Sequence, residues 1–190
     1  MDQISGWVKA AQSGNRYALN QLIDHYQNDI FQFVYYRVHH QADAEDLTQD
    51  IFIQVIRRIS TVKDHKMFKA WLYKIARNRV IDFFRKKRIL FFMGTTGDLE
   101  SETCESSENA SPETEMNRKE FTMLLKSLSK DLSKWEREVF MMRFIDDLDI
   151  KDIALALGKN ENTVKTHLFR ALQKFKKQKK IREFLQITKR

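Results

Sequence analysis

The chain reads as all-α, with two small helical bodies separated by an acidic tether, and three observations predict this. Apolar residues recur at three- and four-residue steps almost throughout, without the sustained alternation that a half-buried strand needs. Only 5 glycines and 1 proline interrupt 190 residues. Charge is partitioned along the chain: residues 1–93 carry 15 basic and 9 acidic side chains, residues 94–115 carry none and 7, and residues 116–190 carry 19 and 10, for a net +8 overall. A chain of this length makes one domain or two small ones, neither able to bury as complete a core as a large domain. Two basic bodies beside an acidic tether suit a polyanion, whose neutralised phosphates release counterions. An ordinary solvated basic surface would carry the same charge.

The expected elements follow in order. A short helix near Ile4–Gln12 stops at Ser13-Gly14-Asn15, and a longer one runs to about Val38 on the stripe Leu19, Leu22, Ile23, Tyr26, Ile30, Phe33 and Val34. The next is expected to open at Asp43 as N-cap and to reach Ile59 on Leu47, Ile51 and Val55. Its other face, Asp46, Gln49, Asp50 and Gln54, is expected to lie outside as a polar, acid-bearing stripe. A basic connector, Thr61 to Lys69, leads to a helix from Phe68 to about Ile89. Residues 94–115 hold Gly, Thr, Ser and Glu with almost no large apolar side chain, a composition that cannot offset the entropy of ordering. This is the expected linker; its acids either keep it solvated or imitate a nucleic acid in a basic channel. Beyond it, helices are expected at Glu115–Leu128, Lys134–Ile145, Ile150–Leu157 and Asn160–Lys179.

A single cysteine, Cys104, excludes an intramolecular disulfide framework and a multi-cysteine zinc cluster, and fits a reducing cytoplasm. The N-terminus lacks the charged start and apolar core of a signal peptide, and no apolar run approaches the roughly 18 residues of a membrane span. The expectation is a soluble, cytoplasmic protein without direct membrane insertion. Nothing in the sequence calls for a cofactor or a metal.

Two segments carry recognition chemistry. The first mixes rings and cations on one helix: Phe68, Leu72, Ile75, Ala76, Val80 and Phe83 can share an inward face, beside Trp71, Tyr73 and Phe84 with Lys74, Arg77, Arg79 and Arg85–Arg88. The latter set cannot all turn inward, so some aromatics are expected among the cations, where a ring stacks an unpaired base at about 1–3 kcal/mol per base. For Trp71 and Phe84 separately, completion of the core is the equal alternative. The second is a helix-turn-helix pattern from Asp149 to Lys177. Ala154 sits where two helices approach, Gly158 permits the turn, and Asn160 caps the second helix. Val164, Leu168 and Leu172 then point inward, leaving Lys165, Thr166, Phe169 and Arg170 outward. Long donors near the N-terminal end of such a helix suit the major groove, where Arg or Lys reaches guanine and Thr or Phe contacts a thymine methyl. An ordinary helical hairpin with a solvated face is the alternative.

Taken together, Asp43-Ala44-Glu45-Asp46-Leu47-Thr48-Gln49-Asp50-Ile51-Phe52-Ile53, Phe68-Lys69-Ala70-Trp71-Leu72-Tyr73-Lys74-Ile75-Ala76-Arg77-Asn78, and Asp152-Ile153-Ala154 with Asn162-Thr163-Val164-Lys165-Thr166 resemble the extracytoplasmic-function sigma factors of bacterial RNA polymerase. The resemblance spans nearly the whole chain. It implies a region-2-like domain at 1–93, a linker at 94–115 that threads towards the RNA exit channel, and a region-4-like domain at 116–190. It further implies no enzymatic activity, promoter recognition only with core polymerase, a stress or envelope-response regulon, and control by an anti-sigma factor.

By the same resemblance, Asp46, Gln49, Asp50 and Phe52 dock on the polymerase clamp helices. The stretch Lys63–Lys69, with Lys63, Lys66 and Lys69, captures a flipped-out base of the minus-ten element together with Asn78, and Trp71 and Tyr73 belong to the same minus-ten surface. Arg77, Arg79 and the run Arg85, Lys86, Lys87 and Arg88 hold the phosphates. Asn162, Thr163, Lys165, Thr166, His167, Phe169, Arg170 and Lys174 read the minus-thirty-five element. Three departures stand out: Asp50 where the family usually has Glu, Asp147 where Gly is frequent, and Thr166-His167 where Ser-Arg is usual. The last weakens a phosphate contact; a lone groove-edge histidine such as His167 reads as a neutral hydrogen-bonding side chain before a titrating one. A stand-alone helix-turn-helix regulator is the rival reading, but residues 1–93 carry neither a ligand-pocket signature nor a sustained heptad. An enzyme would need clustered metal ligands, an activated nucleophile or a phosphate-cradling glycine loop. His39-His40 with Asp43, Glu45 and Asp46 comes nearest, yet flanks a helix start where acids are ordinarily structural.

Overall fold

The computed structural model describes residues 3–92 and 131–176, with side chains described to residue 88 and residue 174. The expected linker with Cys104, the helix expected at Glu115–Leu128, and the end of the last helix lie outside the described residues. The chain divides into two compact units, Met1–Asn109 and Ala110–Arg190. All regular structure among the described residues is helical, and no helix there is long and apolar enough to cross a membrane.

In the first unit α1 (Gln3–Gln12) buries Val8 and Ala11 against α2. Gly14, at φ +88, turns the chain in a conformation that costs glycine no Cβ clash. Asn15 then caps α2 (Arg16–Val38), its Oδ1 accepting from the Ala18 N–H at 3.1 Å. Along α2, Leu22, Tyr26, Ile30, Phe33 and Val34 of the expected core stripe are buried, and Leu19 and Ile23 are half-buried at its edge. α3 (Gln41–Arg58) differs from expectation at its start. His40, not Asp43, is the N-cap: its extended backbone lets Nδ1 accept from the Asp43 N–H at 3.3 Å, and Asp43 sits one turn inside. Its acid still complements the positive end of the helix dipole.

Two short 3-10 turns, Ile59–Thr61 and His65–Met67, carry the chain into α4 (Phe68–Phe92). α4 packs against α1, α2 and α3 together, so its first half is buried over a wide arc that includes Phe68, Ala70, Leu72, Tyr73, Ala76 and Val80. Tyr73 meets Phe33 edge-to-face at 5.3 Å between centroids, and Phe68 meets Tyr26 at 5.7 Å.

In the second unit Ser133 and Glu136 form a reciprocal capping box at the start of α5 (Lys134–Phe144). The link to α6 (Ile150–Leu157) turns at Asp147, whose φ of +46 is left-handed. This is the position where the resembled family favours glycine, and aspartate is among the few side chains that tolerate it. The Arg143 guanidinium donates to the Leu148 carbonyl at 3.0 Å across the same bend. Asp147→Gly is expected to leave stability within about 0.5 kcal/mol, whereas a β-branched Asp147→Val should cost about 1–2 kcal/mol. Chemical denaturation of the three proteins checks this; equal midpoints for Asp147→Val would mean the bend carries no strain.

Asp149 caps α6, Gly158 at φ +63 makes the turn, and Asn160 caps α7 (Glu161–Lys176), its Oδ1 accepting from the Thr163 N–H at 2.7 Å. Val139, Phe140, Met142, Leu148, Ile153, Ala156, Val164 and Ala171 form the core of this unit. Leu168 and Leu172 are only half-buried; Ala171 has the deeper place.

Candidate nucleic-acid and polymerase interfaces

The outward face of α7 is built by the packing of its other face. With Val164 and Ala171 fully enclosed, a helix of 3.6 residues per turn must expose Lys165, Thr166, Phe169 and Arg170, and all four are exposed. Phe169 leaves 62% of its surface to solvent, a large apolar exposure on an otherwise cationic strip. Asn162 is exposed and Thr163 half-buried. The Thr166 hydroxyl donates back to the Asn162 carbonyl at 2.8 Å, and Lys165 lies 3.7 Å from Glu161 on an exposed turn, a pair that leaves the ammonium available. His167 is half-buried; its Nδ1 is shielded and has no hydrogen-bond partner among the described residues.

Lys174 has partners inside the unit. Its ammonium lies 2.6 Å from the Glu136 carboxylate and 3.0 Å from the Asp131 carbonyl, so it ties α7 to the start of α5 while 44% of the side chain stays open to solvent. Burial alone would push the Glu136 carboxyl upward, but the Lys174 ammonium and the Ser133 donors outweigh it and hold its pKa below the ordinary value of 4.5. A carboxyl depressed on folding adds stability that is present above its unfolded pKa and lost as pH falls through the folded one. Glu136→Gln should therefore cost about 1 kcal/mol at pH 7 and progressively less at a pH low enough to protonate the folded carboxyl. Urea midpoints across the acid range measure it, and a cost that does not change with pH would assign the loss to packing instead of charge.

The second surface combines the connector with α4. Lys63 and Lys66 are exposed and Lys69 half-buried. On α4, Asn78, Phe84, Arg85 and Lys86 are exposed and Trp71 and Arg77 half-buried. Phe84 leaves 45% of its surface open beside these cations; Trp71 leans on Phe68 at 5.8 Å. Tyr73, expected as a base-stacking ring, is instead 1% exposed and belongs to the core, because α4 is enclosed on three sides at that point. Arg85 pairs with Asp82 at 3.2 Å on an exposed turn.

The third surface is the acid-bearing face of α3. Asp46 and Gln49 are exposed and Asp50 half-exposed, while Ile53 and Ile56 extend the same face as open apolar residues. Phe52, expected on this surface, is buried under it and shapes the face from below. Asp50 and Arg79, assigned to different partners by sequence, are joined in an ion pair between α3 and α4. Arg79 thus positions the two helices before it meets any phosphate. That pair was illegible in the sequence, since nothing marks residues 29 positions apart as partners. The Ser133-x-x-Glu136 capping signature, by contrast, is legible in the sequence, because both of its bonds lie within three residues.

A helical unit with a mixed aromatic and cationic surface, and another presenting a cationic reading helix from a helix-turn-helix, define a DNA-binding transcription protein. The chain belongs to the extracytoplasmic-function family of bacterial RNA polymerase sigma factors. Sigma-70 region 2 matches residues 22–89 and Sigma-70 region 4 matches residues 121–175. The chain is 31% identical to the RNA polymerase sigma factor SigV of Bacillus subtilis, over 87% of this chain and 93% of that protein. It is 32% identical to the ECF RNA polymerase sigma factor SigX of the same organism, over 82% and 80%. Against the ECF RNA polymerase sigma factor BldN of Streptomyces coelicolor it is 34% identical over 87% of its own length, and it spans 62% of that longer protein. The fold is shared with CnrH, solved in complex with the cytosolic domain of CnrY, at a TM-score of 0.70 and 21% identity over 92% of this chain and 96% of that one. It is shared also with the sigma factor RpoE of Bartonella quintana, solved with the anti-sigma factor NepR, at 0.64 and 21% over 83% and 94%. The chain is thus an RNA polymerase sigma factor.

Proposed function

We propose that residues 1–93 dock on core polymerase and open the minus-ten element, that residues 116–190 read the minus-thirty-five element, and that residues 94–115 join them. The observation that carries this reading is the α7 strip of Lys165, Thr166, Phe169 and Arg170, exposed in register on a buried Val164 and Ala171. Two long cationic donors there suit guanine edges, and the phenyl ring suits a thymine methyl. In the first domain, Lys63, Lys66, Arg85 and Lys86 hold backbone phosphates while Phe84 and the open edge of Trp71 offer faces to unpaired bases. Extruding a base costs a few kcal/mol of stacking, which pocket contacts return, so strand capture drives melting. The α3 face of Asp46, Gln49 and Asp50, continued by Ile53 and Ile56, meets the polymerase. The chain carries no catalysis of its own and works in the cytoplasm, where an anti-sigma factor covers these faces until a stress signal releases them.

Run-off transcription from a promoter-fragment library, with core polymerase and with or without this protein, tests the proposal. New start sites preceded by two spaced elements are the expected result. Tight duplex binding with unchanged transcription would overturn it in favour of a stand-alone helix-turn-helix regulator. Salt must be held constant, because each phosphate contact steepens the salt dependence of affinity.

A further inference from the structure

Gln12, the last residue of α1, reaches across to the connector between α3 and α4 with every polar group of its side chain. Its Nε2 donates to the Ile59 carbonyl at 2.9 Å and to the Val62 carbonyl at 2.8 Å, and its Oε1 faces His65 Nε2 at 2.9 Å. An amide nitrogen has two hydrogens, so both are spent on backbone, and the orientation of the amide is settled because the reverse would set oxygen against two carbonyls. The partners lie 47 to 53 positions away in sequence. The connector is also held by Ile59, Val62 and Phe68, which are buried, by Asp64, whose carboxylate accepts from the Lys66 N–H at 3.0 Å, and by turn bonds from the Val62 N–H to the Ile59 carbonyl and from the Met67 N–H to the Asp64 carbonyl. Lys63 and Lys66 project from the outer side of this loop.

We infer that Gln12 is a positioning residue for promoter strand capture: its three-bond clasp presets the connector, so that Lys63, His65 and Lys66 stand in place before single-stranded DNA arrives. This rests on the reading of the connector as the minus-ten capture element. The physical gain is preorganisation, since a loop ordered before binding does not lose that conformational freedom on binding. Gln12 itself touches no DNA; its effect travels through Ile59, Val62 and His65.

The test uses full-length protein with core polymerase and a fluorescent single-stranded oligonucleotide carrying the non-template minus-ten sequence recovered by run-off mapping. Gln12→Met keeps length and removes all three bonds; Gln12→Glu keeps the acceptor towards His65 and sets an anion against the two carbonyls. Both are expected to weaken strand binding about tenfold, an order-of-magnitude figure for a loop that must order on binding. Core affinity and duplex minus-thirty-five binding should stay at the parental level. The salt slope of strand binding should also be unchanged, because the lysines still meet the phosphates once the loop has ordered on the strand, whereas Lys63→Ala and Lys66→Ala should reduce it. Parental strand affinity in both Gln12 variants, with a loss in the lysine variants, would overturn the clasp and leave the element reading intact. Parental affinity in all four variants would overturn the element reading and the clasp with it. A parallel fall in strand binding, core binding and melting temperature would make Gln12 a structural residue only and would overturn the inference as well.

Discussion

Tyr73→Ala should destabilise the first unit by about 3–5 kcal/mol, the range for removing a fully buried large aromatic. The ring is 1% exposed and packs edge-to-face on Phe33, itself fully enclosed, so truncation leaves a void lined by α2 and α4 that cannot collapse without moving two long helices. A loss of that size is a large share of the total stability of a small domain, and much of the unit should be unfolded near body temperature. Tyr73→Phe keeps the ring and should cost no more than about 1–2 kcal/mol. The comparison that decides between the core and the stacking roles is Phe84→Ala. With 45% of its surface open, Phe84 contributes little to packing, so its removal should leave the melting temperature nearly unchanged while weakening binding to unpaired promoter strand by about 1–3 kcal/mol. Calorimetry and strand-binding titrations on the two alanine variants should therefore give opposite patterns. A stable Tyr73→Ala that had lost strand binding would restore that ring to the interface.

Lys165→Ala and Arg170→Ala should each lower transcription from a cognate promoter through the minus-thirty-five element, by about 1–3 kcal/mol of recognition, or roughly fivefold to more than a hundredfold. Both side chains are exposed on α7, and the Lys165 pair with Glu161 at 3.7 Å is too loose and too solvated to hold the ammonium back. Neither change touches the core, since Val164 and Ala171 carry the packing of that helix, so melting temperature and core-polymerase affinity should hold. The effect should be base-specific: a residue that reads a guanine loses discrimination at one promoter position, while one that holds a phosphate weakens all sequences alike and flattens the salt dependence. Lys174→Ala is the internal control. Its ammonium is committed to Glu136 and the Asp131 carbonyl, so it should destabilise the unit without altering promoter preference. Equal loss of transcription with all three substitutions, at unchanged stability, would place Lys174 on the reading face.

Features that depend on local order along the chain are legible in its residues alone. Helical periodicity announced the all-α class; Ser13-Gly14-Asn15 and Leu157-Gly158-Lys159-Asn160 marked a helix end and a turn, because stop and cap signals act within four residues. The outward face of α7 followed from the spacing of its buried residues, and the family followed from motifs whose order survives without any tertiary information. The left-handed bend at Asp147 came from the structure; the sequence showed only an aspartate where the family often has glycine.

Features that depend on what lies opposite a residue emerge when the helices pack. Tyr73 went inside because α4 is enclosed by three neighbours, a width of burial that a helical stripe does not reveal. Asp50 and Arg79 met each other, Lys174 turned to Glu136, and Gln12 clasped a loop some fifty residues away, each through hydrogen bonds between segments distant in sequence. A cation in a sequence shows only that it must find water or a partner. Which of the two it finds is settled when helices pack, since desolvation penalises an unpaired charge and proximity rewards a paired one.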